Sequence, residues 1–160
     1  MEIDATYTFP ASVSEVWNLL MDPSAIAACL PGCRELRPIG DDRYQAELTI
    51  GVAAVSGSFT VTIALADKVP PQSYRLQVEA TGRPGFARGS ATIVLSPDEK
   101  GTAVRVTADA EVGGLIARVG QRLLEGVARM TMDRFYECLA KRIGEAGNGG
   151  ERTGNRGGRL

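Results

Sequence analysis

The chain has 160 residues, of which 44% are apolar and 23% charged, and its 18 basic residues nearly balance its 19 acidic ones. It is long enough to bury a core as one domain, and its near-neutral charge argues against a nucleic-acid partner. Histidine is absent, which excludes Ser-His and Cys-His catalytic pairs and His-ligated metals. Three cysteines cannot complete a four-thiolate zinc site within one chain, so we predict no metal site.

A strand and two short helices are predicted at the N-terminus. Apolar and polar residues alternate over residues 2–9, the period of a half-buried strand. Ser12 and Glu15 have the spacing of a capping box, which predicts the first short helix. Asp22 and Pro23 supply an N-cap and a first-turn proline for the second. The sequence shows no signal-peptide core and no apolar run of bilayer length, so we predict a cytoplasmic protein.

Residues 33–112 change to a period of two. Six runs of alternating apolar and polar residues are separated by turn sequences rich in Gly, Pro, Asp and Ser. This alternation is typical of an antiparallel sheet with one face on the core. We therefore predict a six-stranded meander, which becomes a seven-stranded antiparallel sheet with the first strand.

A long helix is predicted to begin near Gly114. Its apolar residues recur every three or four positions and form one stripe: Ile116, Val119, Leu123, Val127 and Met130. The pattern stops near Gly144. Residues 145–160, rich in Gly and Arg, cannot bury apolar surface and are predicted to be a disordered tail.

The order of elements predicts an α+β fold in which the sheet curves around the C-terminal helix. A curved sheet cannot touch a straight helix everywhere, so we expect an elongated apolar pocket between them. Periodicity alone does not distinguish a lined pocket from a filled core, but the inward positions include many Ala and Gly residues, which leave room. The predicted pocket residues are Tyr44, Leu48, Phe59, Val61, Leu76, Val78, Phe86, Ile93, Ala108, Ile116, Val119, Gly120, Leu123 and Val127.

Three of these positions have more specific expectations. Ala108 and Gly120 are predicted to point inward from opposite walls, the first from the sheet and the second from the helix. Phe86 follows a Pro-Gly turn. It is interpreted either as part of a minor surface cluster or as a gate to the pocket that could also dip into a membrane surface.

Cys29 and Cys33 flank a Leu-Pro-Gly bend. They could be buried reduced thiols, a reversible disulfide, or part of a metal contact. A cytosolic compartment would keep both reduced, and a free cysteine packs as a small hydrophobe. We interpret the two as buried thiols that are dispensable for folding, and the Pro31-Gly32 bend as a corner that sets the turn from helix to strand.

Three segments resemble the CoxG family of carbon monoxide dehydrogenase proteins, within the START and birch-allergen (SRPBCC) superfamily. They are DPSAIAACLPGC, GFARGSATIVLSP and VGGLIARVGQRLLEGVARMTMDRFYECL. The resemblance runs over residues 1–144 and implies a helix-grip ligand-binding domain. It also implies an accessory protein of a molybdenum hydroxylase, itself without metal, flavin or iron–sulfur centre. The implied ligand is a hydrophobic small molecule held non-covalently, with an isoprenoid quinone or lipid as candidate, and the implied location includes transient contact with the inner face of the membrane.

Three functions remain open from the sequence. The first, which we favour, is a non-catalytic carrier of a lipophilic molecule that serves a CO-dehydrogenase-like enzyme. The second is a START-like cyclase or hydrolase, which would need an inward acid or base, and the apolar faces offer mainly Tyr7, Tyr44 and Tyr74. The third is an adaptor or assembly factor for that enzyme, with an incidental cavity.

Overall fold

A computed structural model describes the backbone of residues 1–51 and 56–159, and the side chains of residues 1–51 and 56–144. Two short helices follow the first strand, and a long helix, preceded by a 3₁₀ helix, ends the chain. The strands are β1 (Glu2–Phe9), β2 (Cys33–Gly40), β3 (Arg43–Ile50), β4 (Gly57–Val69), β5 (Ser73–Gly82), β6 (Gly85–Asp98) and β7 (Gly101–Gly113). The helices are α1 (Val13–Leu20), α2 (Pro23–Cys29), the 3₁₀ helix Leu115–Val119, and α3 (Gln121–Arg159).

The seven strands form one antiparallel sheet in the order β1-β7-β6-β5-β4-β3-β2. Consecutive strands from β2 to β7 are neighbours, and β1 adds to the far edge beside β7. Tyr74 lies opposite Ile93, which in turn lies opposite Val106, so apolar residues of successive strands share one face. The predicted α+β helix-grip fold, with its seven-stranded antiparallel sheet, is confirmed.

Both short helices begin at the predicted caps. The backbone N–H of Glu15 donates to Ser12 Oγ at 3.2 Å, and the Ser12 N–H donates to Glu15 Oε1 at 3.3 Å. At α2 the Ser24 N–H donates to Asp22 Oδ1 at 3.0 Å, and Pro23 occupies the first turn. These contacts satisfy backbone donors that a helix start otherwise leaves without partners.

The bend between α2 and β2 depends on a glycine. Gly32 has φ +75, and a Cβ at this position would collide with the Thr49 carbonyl oxygen of β3. The Thr49 N–H donates to the Gly32 carbonyl at 3.0 Å, which fixes the close approach. The prediction that the Pro31-Gly32 bend acts through its shape agrees with this geometry.

The core consists of two apolar clusters. The larger joins α1, α2, β1 and the central strands to the part of α3 around Tyr136 and Leu139. The smaller centres on Phe59, Val61 and Ile116. The predicted disordered tail, 145–160, falls outside the residues whose side chains are described, so that tail and the domain boundary at 144 remain predictions.

The start of the long helix differs from the prediction. The 3₁₀ helix occupies the segment after Gly114, and Gly120, with φ +101, separates it from α3. Because α3 begins at Gln121 rather than near Gly114, the apolar stripe extrapolated from Ile116 has the wrong phase along α3.

Candidate functional site

A cavity of about 420 Å³ lies between the concave face of the sheet and the helices. Its sheet wall consists of residues from β2 to β7 and their turns: Leu36, Asp42, Tyr44, Leu48, Val61, Ile63, Leu65, Lys68, Pro70, Tyr74, Leu76, Val78, Ala91, Val106 and Ala108. Its helical wall consists of Trp17, Leu20, Met21, Pro23, Ile26, Leu30, Thr131, Met132, Phe135 and Tyr136. The volume is within the ~300–1,000 Å³ typical of small-molecule sites, and the lining is predominantly apolar.

Six of the predicted pocket residues line this cavity: Tyr44, Leu48, Val61, Leu76, Val78 and Ala108. All six belong to the sheet. The period-two pattern therefore identified the correct face of β3, β4, β5 and β7.

The other eight predicted residues do not line the cavity, and four of them pack in the smaller cluster instead: Phe59, Ile116, Val119 and Val127. Ile93 has no exposed surface and is part of the larger cluster. These residues fill core because another apolar side chain faces them, which a pattern within one strand or helix does not show.

The prediction that Leu123 and Gly120 point inward is wrong because it rests on the wrong helix phase. Leu123 is 40% exposed, and Gly120 lies in an exposed break where a Cβ would meet nothing within 4 Å. The contribution of α3 to the cavity comes one to two turns later, from Thr131 to Tyr136.

Phe86 also lies away from the cavity. It is the second residue of β6, and the Arg88 guanidinium lies 5.1 Å from its ring centroid. Its ring covers Gly113, where a Cβ would collide with it. This corresponds to the surface-cluster interpretation of Phe86, and the gate interpretation has no support in these contacts.

The sequence prediction missed the contribution of α1 and α2. Trp17 and Leu20 are spaced three apart on the apolar side of α1, and Ile26 and Leu30 continue four apart at α2. That spacing was a usable signal for an inward face. It does not tell whether the face covers the sheet or borders a cavity.

The exposed lining residues, Pro23, Lys68 and Pro70, mark the side on which the cavity opens. Asp42 and Lys68 are the charged members of the lining, and Lys68 Nζ donates to Asp42 Oδ1 at 2.8 Å. Because these charges neutralise each other, the apolar interior has no net charge from its lining.

Two buried tyrosines contribute hydroxyls to the cavity wall. Tyr74 is 4% exposed and packs edge-on against Trp17 with ring centroids 5.5 Å apart. Tyr136 is 5% exposed and stacks on Tyr7 at 4.4 Å. Burial raises the pKa of both phenols well above the ordinary value, and neighbouring Tyr74 raises that of Tyr136 further. Both hydroxyls are therefore protonated donors at neutral pH.

The cysteines pair differently from the prediction. Cys29 of α2 forms a disulfide with Cys138 of α3, 109 residues away. Cys33 is the free thiol; its pKa is raised by burial, and its Sγ contacts the Glu35 carbonyl oxygen at 3.6 Å. The interpretation of Cys29 as a reduced thiol is therefore wrong. No group of acidic, Cys or His residues that could hold a metal occurs among the residues described.

None of the helices, over the residues searched, combines the length and hydropathy needed to cross a bilayer.

Comparisons with known proteins agree with the geometry. The family model for the carbon monoxide dehydrogenase protein CoxG matches residues 7–144. A conserved protein from Geobacillus kaustophilus is similar at 39% identity and TM-score 0.88, over 91% of this chain and 97% of its own. A START superfamily protein from Mycobacterium smegmatis shares the fold at 14% identity and TM-score 0.71, over 91% and 98% of the two chains. No protein with curated annotation matches significantly.

Proposed function

Because the chain belongs to the CoxG family of carbon monoxide dehydrogenase proteins, we propose that it binds a lipophilic small molecule between sheet and α3 and carries it without transforming it. The observation that supports this most is the cavity itself, about 420 Å³ with a mainly apolar lining. A filled core would leave few voids larger than a water molecule.

The lining favours an apolar ligand for a simple energetic reason. Each 100 Å² of apolar ligand surface removed from water contributes about 2.5 kcal/mol. Asp42 and Lys68 already satisfy each other, and Thr131 Oγ donates to the Val127 carbonyl at 2.8 Å. A charged ligand would therefore find few free partners on these side chains, whereas a long hydrocarbon chain would bury most of its surface.

The same residues argue for carriage rather than catalysis. The buried phenols have raised pKa values, which makes them poor bases at neutral pH. A nucleophile activated by a neighbouring base is a usual feature of a hydrolase site, and the described lining offers no such pair. We therefore favour the carrier over a START-like cyclase or hydrolase.

The finer proposal concerns the ligand and the enzyme that the carrier serves. We propose an isoprenoid quinone, whose apolar tail suits this lining, carried to or from a CO-dehydrogenase-like molybdenum hydroxylase. The support for the enzyme partner is family membership. Since such quinones reside in the bilayer, this role includes transient contact with the membrane.

Binding can be tested with decylubiquinone, a benzoquinone with a ten-carbon chain. Trp17 lines the cavity and is the single tryptophan of the chain, so quenching of its fluorescence reports ligand entry. Ala108→Phe places a ring in the cavity and should weaken binding at least tenfold. Thr107→Phe is the matched control, since Thr107 is exposed and precedes Ala108 on β7, so that it points to the opposite face. Absence of saturable quenching in the wild type, or equal binding by Ala108→Phe, would contradict the proposal.

A further inference from the structure

The cavity has a polar feature that an entirely apolar ligand would leave unused. The hydroxyls of Tyr74 and Tyr136 make no hydrogen bond to any described protein group, although both side chains are at least nine-tenths buried. Buried hydroxyls usually have a partner, because leaving one without a partner is unfavourable. No fully enclosed side-chain oxygen or nitrogen lacks a partner among the described residues. The two hydroxyls are therefore accessible from the cavity that their residues line.

Tyr7 shows that an unpartnered hydroxyl is not general in this cluster. Its hydroxyl donates to Asp133 Oδ1 at 2.7 Å, away from the cavity lining. Its ring stacks on Tyr136, and Phe135 meets the same ring edge-on at 5.0 Å. Trp17 restrains Tyr74 in a similar way. Aromatic neighbours therefore hold both cavity-facing phenols in place, as is expected of a preformed recognition site.

We propose, on the basis of the carrier function above, that Tyr74 and Tyr136 donate hydrogen bonds to an acceptor oxygen on the ligand's head group. The ligand class is then narrower than a hydrocarbon: an apolar chain that ends in a carbonyl-bearing head. A neutral carbonyl suits these donors because it accepts without adding a charge to the apolar cavity. The head lies beside Trp17 and between α1, β5 and α3, which fixes the orientation of the bound molecule.

The test compares two probes that share a ten-carbon chain. Decylubiquinone has carbonyl oxygens, and decylbenzene has no acceptor oxygen. Tyr74→Phe and Tyr136→Phe each remove one hydroxyl and keep the ring, and Tyr7→Phe is the matched control outside the lining. Affinities are measured by equilibrium dialysis at neutral pH, after circular dichroism has shown that each variant is folded.

Each cavity variant should weaken decylubiquinone about fivefold, the effect of one hydrogen bond, and leave decylbenzene unchanged. Tyr7→Phe should affect neither probe. The infrared C=O stretch of decylubiquinone bound to the wild type should lie below its value in hexane. It should move back toward that value in each variant that folds.

The outcomes separate this proposal from the carrier function. If neither probe binds the wild type, the carrier function fails, and the head-group site fails with it. If both probes bind but the wild-type C=O stretch equals that in hexane, the carrier stands and the hydrogen bonds do not exist. Equal losses for both probes in Tyr74→Phe or Tyr136→Phe would indicate altered cavity shape and would also refute the head-group site.

Discussion

Removal of the disulfide should destabilise the fold substantially. The bond between Cys29 and Cys138 joins α2 and α3, and both helices contribute to the cavity wall. Cys29 is 5% exposed and packs in the larger cluster. We therefore consider the variant Cys29→Ala/Cys138→Ala, with Cys33→Ala as the matched control because Cys33 is the free thiol.

The magnitude follows from the length of chain that the bond closes. A sequence separation of 109 residues gives about 5 kcal/mol at 25 °C from the lost entropy of the unfolded chain. Removal of native disulfides typically costs about 2–5 kcal/mol, so the entropic figure is the upper end of the expectation. Alanine also loses the packing of a buried sulfur, which acts in the same direction.

The assay is urea unfolding followed through Trp17 fluorescence, with and without dithiothreitol. The double variant and the reduced wild type should both lose about 2–5 kcal/mol of unfolding free energy, whereas Cys33→Ala should retain the reducible transition. A thiol count on unfolded, unreduced protein should find one free thiol, from Cys33. Three free thiols in protein isolated under alkylating conditions, or equal midpoints with and without dithiothreitol, would refute the disulfide.

Two further predictions concern glycine positions and alkaline pH. Gly126→Ala in the exposed face of α3 should stabilise the fold by about 0.5–1 kcal/mol, whereas Gly120→Ala, at φ +101, should cost about 1–3 kcal/mol. Thermal unfolding of the two variants checks this, and equal shifts would contradict the break before α3. Because the pKa values of Tyr74 and Tyr136 are raised in the folded state, their contribution is complete below pH 10. It falls above that by about 1.4 kcal/mol per pH unit for each tyrosine. Urea midpoints at pH 8 and 11 measure the loss, and a Tyr74→Phe/Tyr136→Phe variant should show a smaller one; equal slopes would refute the assignment.

Local signals in the sequence predicted most of the fold. The Ser12 and Glu15 capping box, the Asp22-Pro23 helix start and the alternation in six runs each depend on residues within a few positions of one another. The structure reproduces all three. A seven-stranded meander around one helix follows from them because consecutive antiparallel strands usually lie side by side.

The remaining features depend on contacts between residues distant in the sequence. Cys29 meets Cys138 only once α2 packs on α3, so the nearby Cys33 was a misleading partner. The left-handed φ of Gly120 shifted the phase of α3, which no apolar spacing revealed. Ile93 and Ala91 share a face of β6, yet Ile93 fills the core and Ala91 borders the cavity. The element packed opposite each residue decides that difference.

The central claim is that this cavity carries a lipophilic molecule in the cell. The most direct measurement is mass spectrometry of organic extracts from protein purified without detergent from its native host. The wild type and Thr107→Phe should yield one apolar species at close to one molecule per chain, and Ala108→Phe, expressed and purified in the same way, should yield none. Wild-type protein with no extractable ligand, or Ala108→Phe with as much ligand as the wild type, would contradict the account.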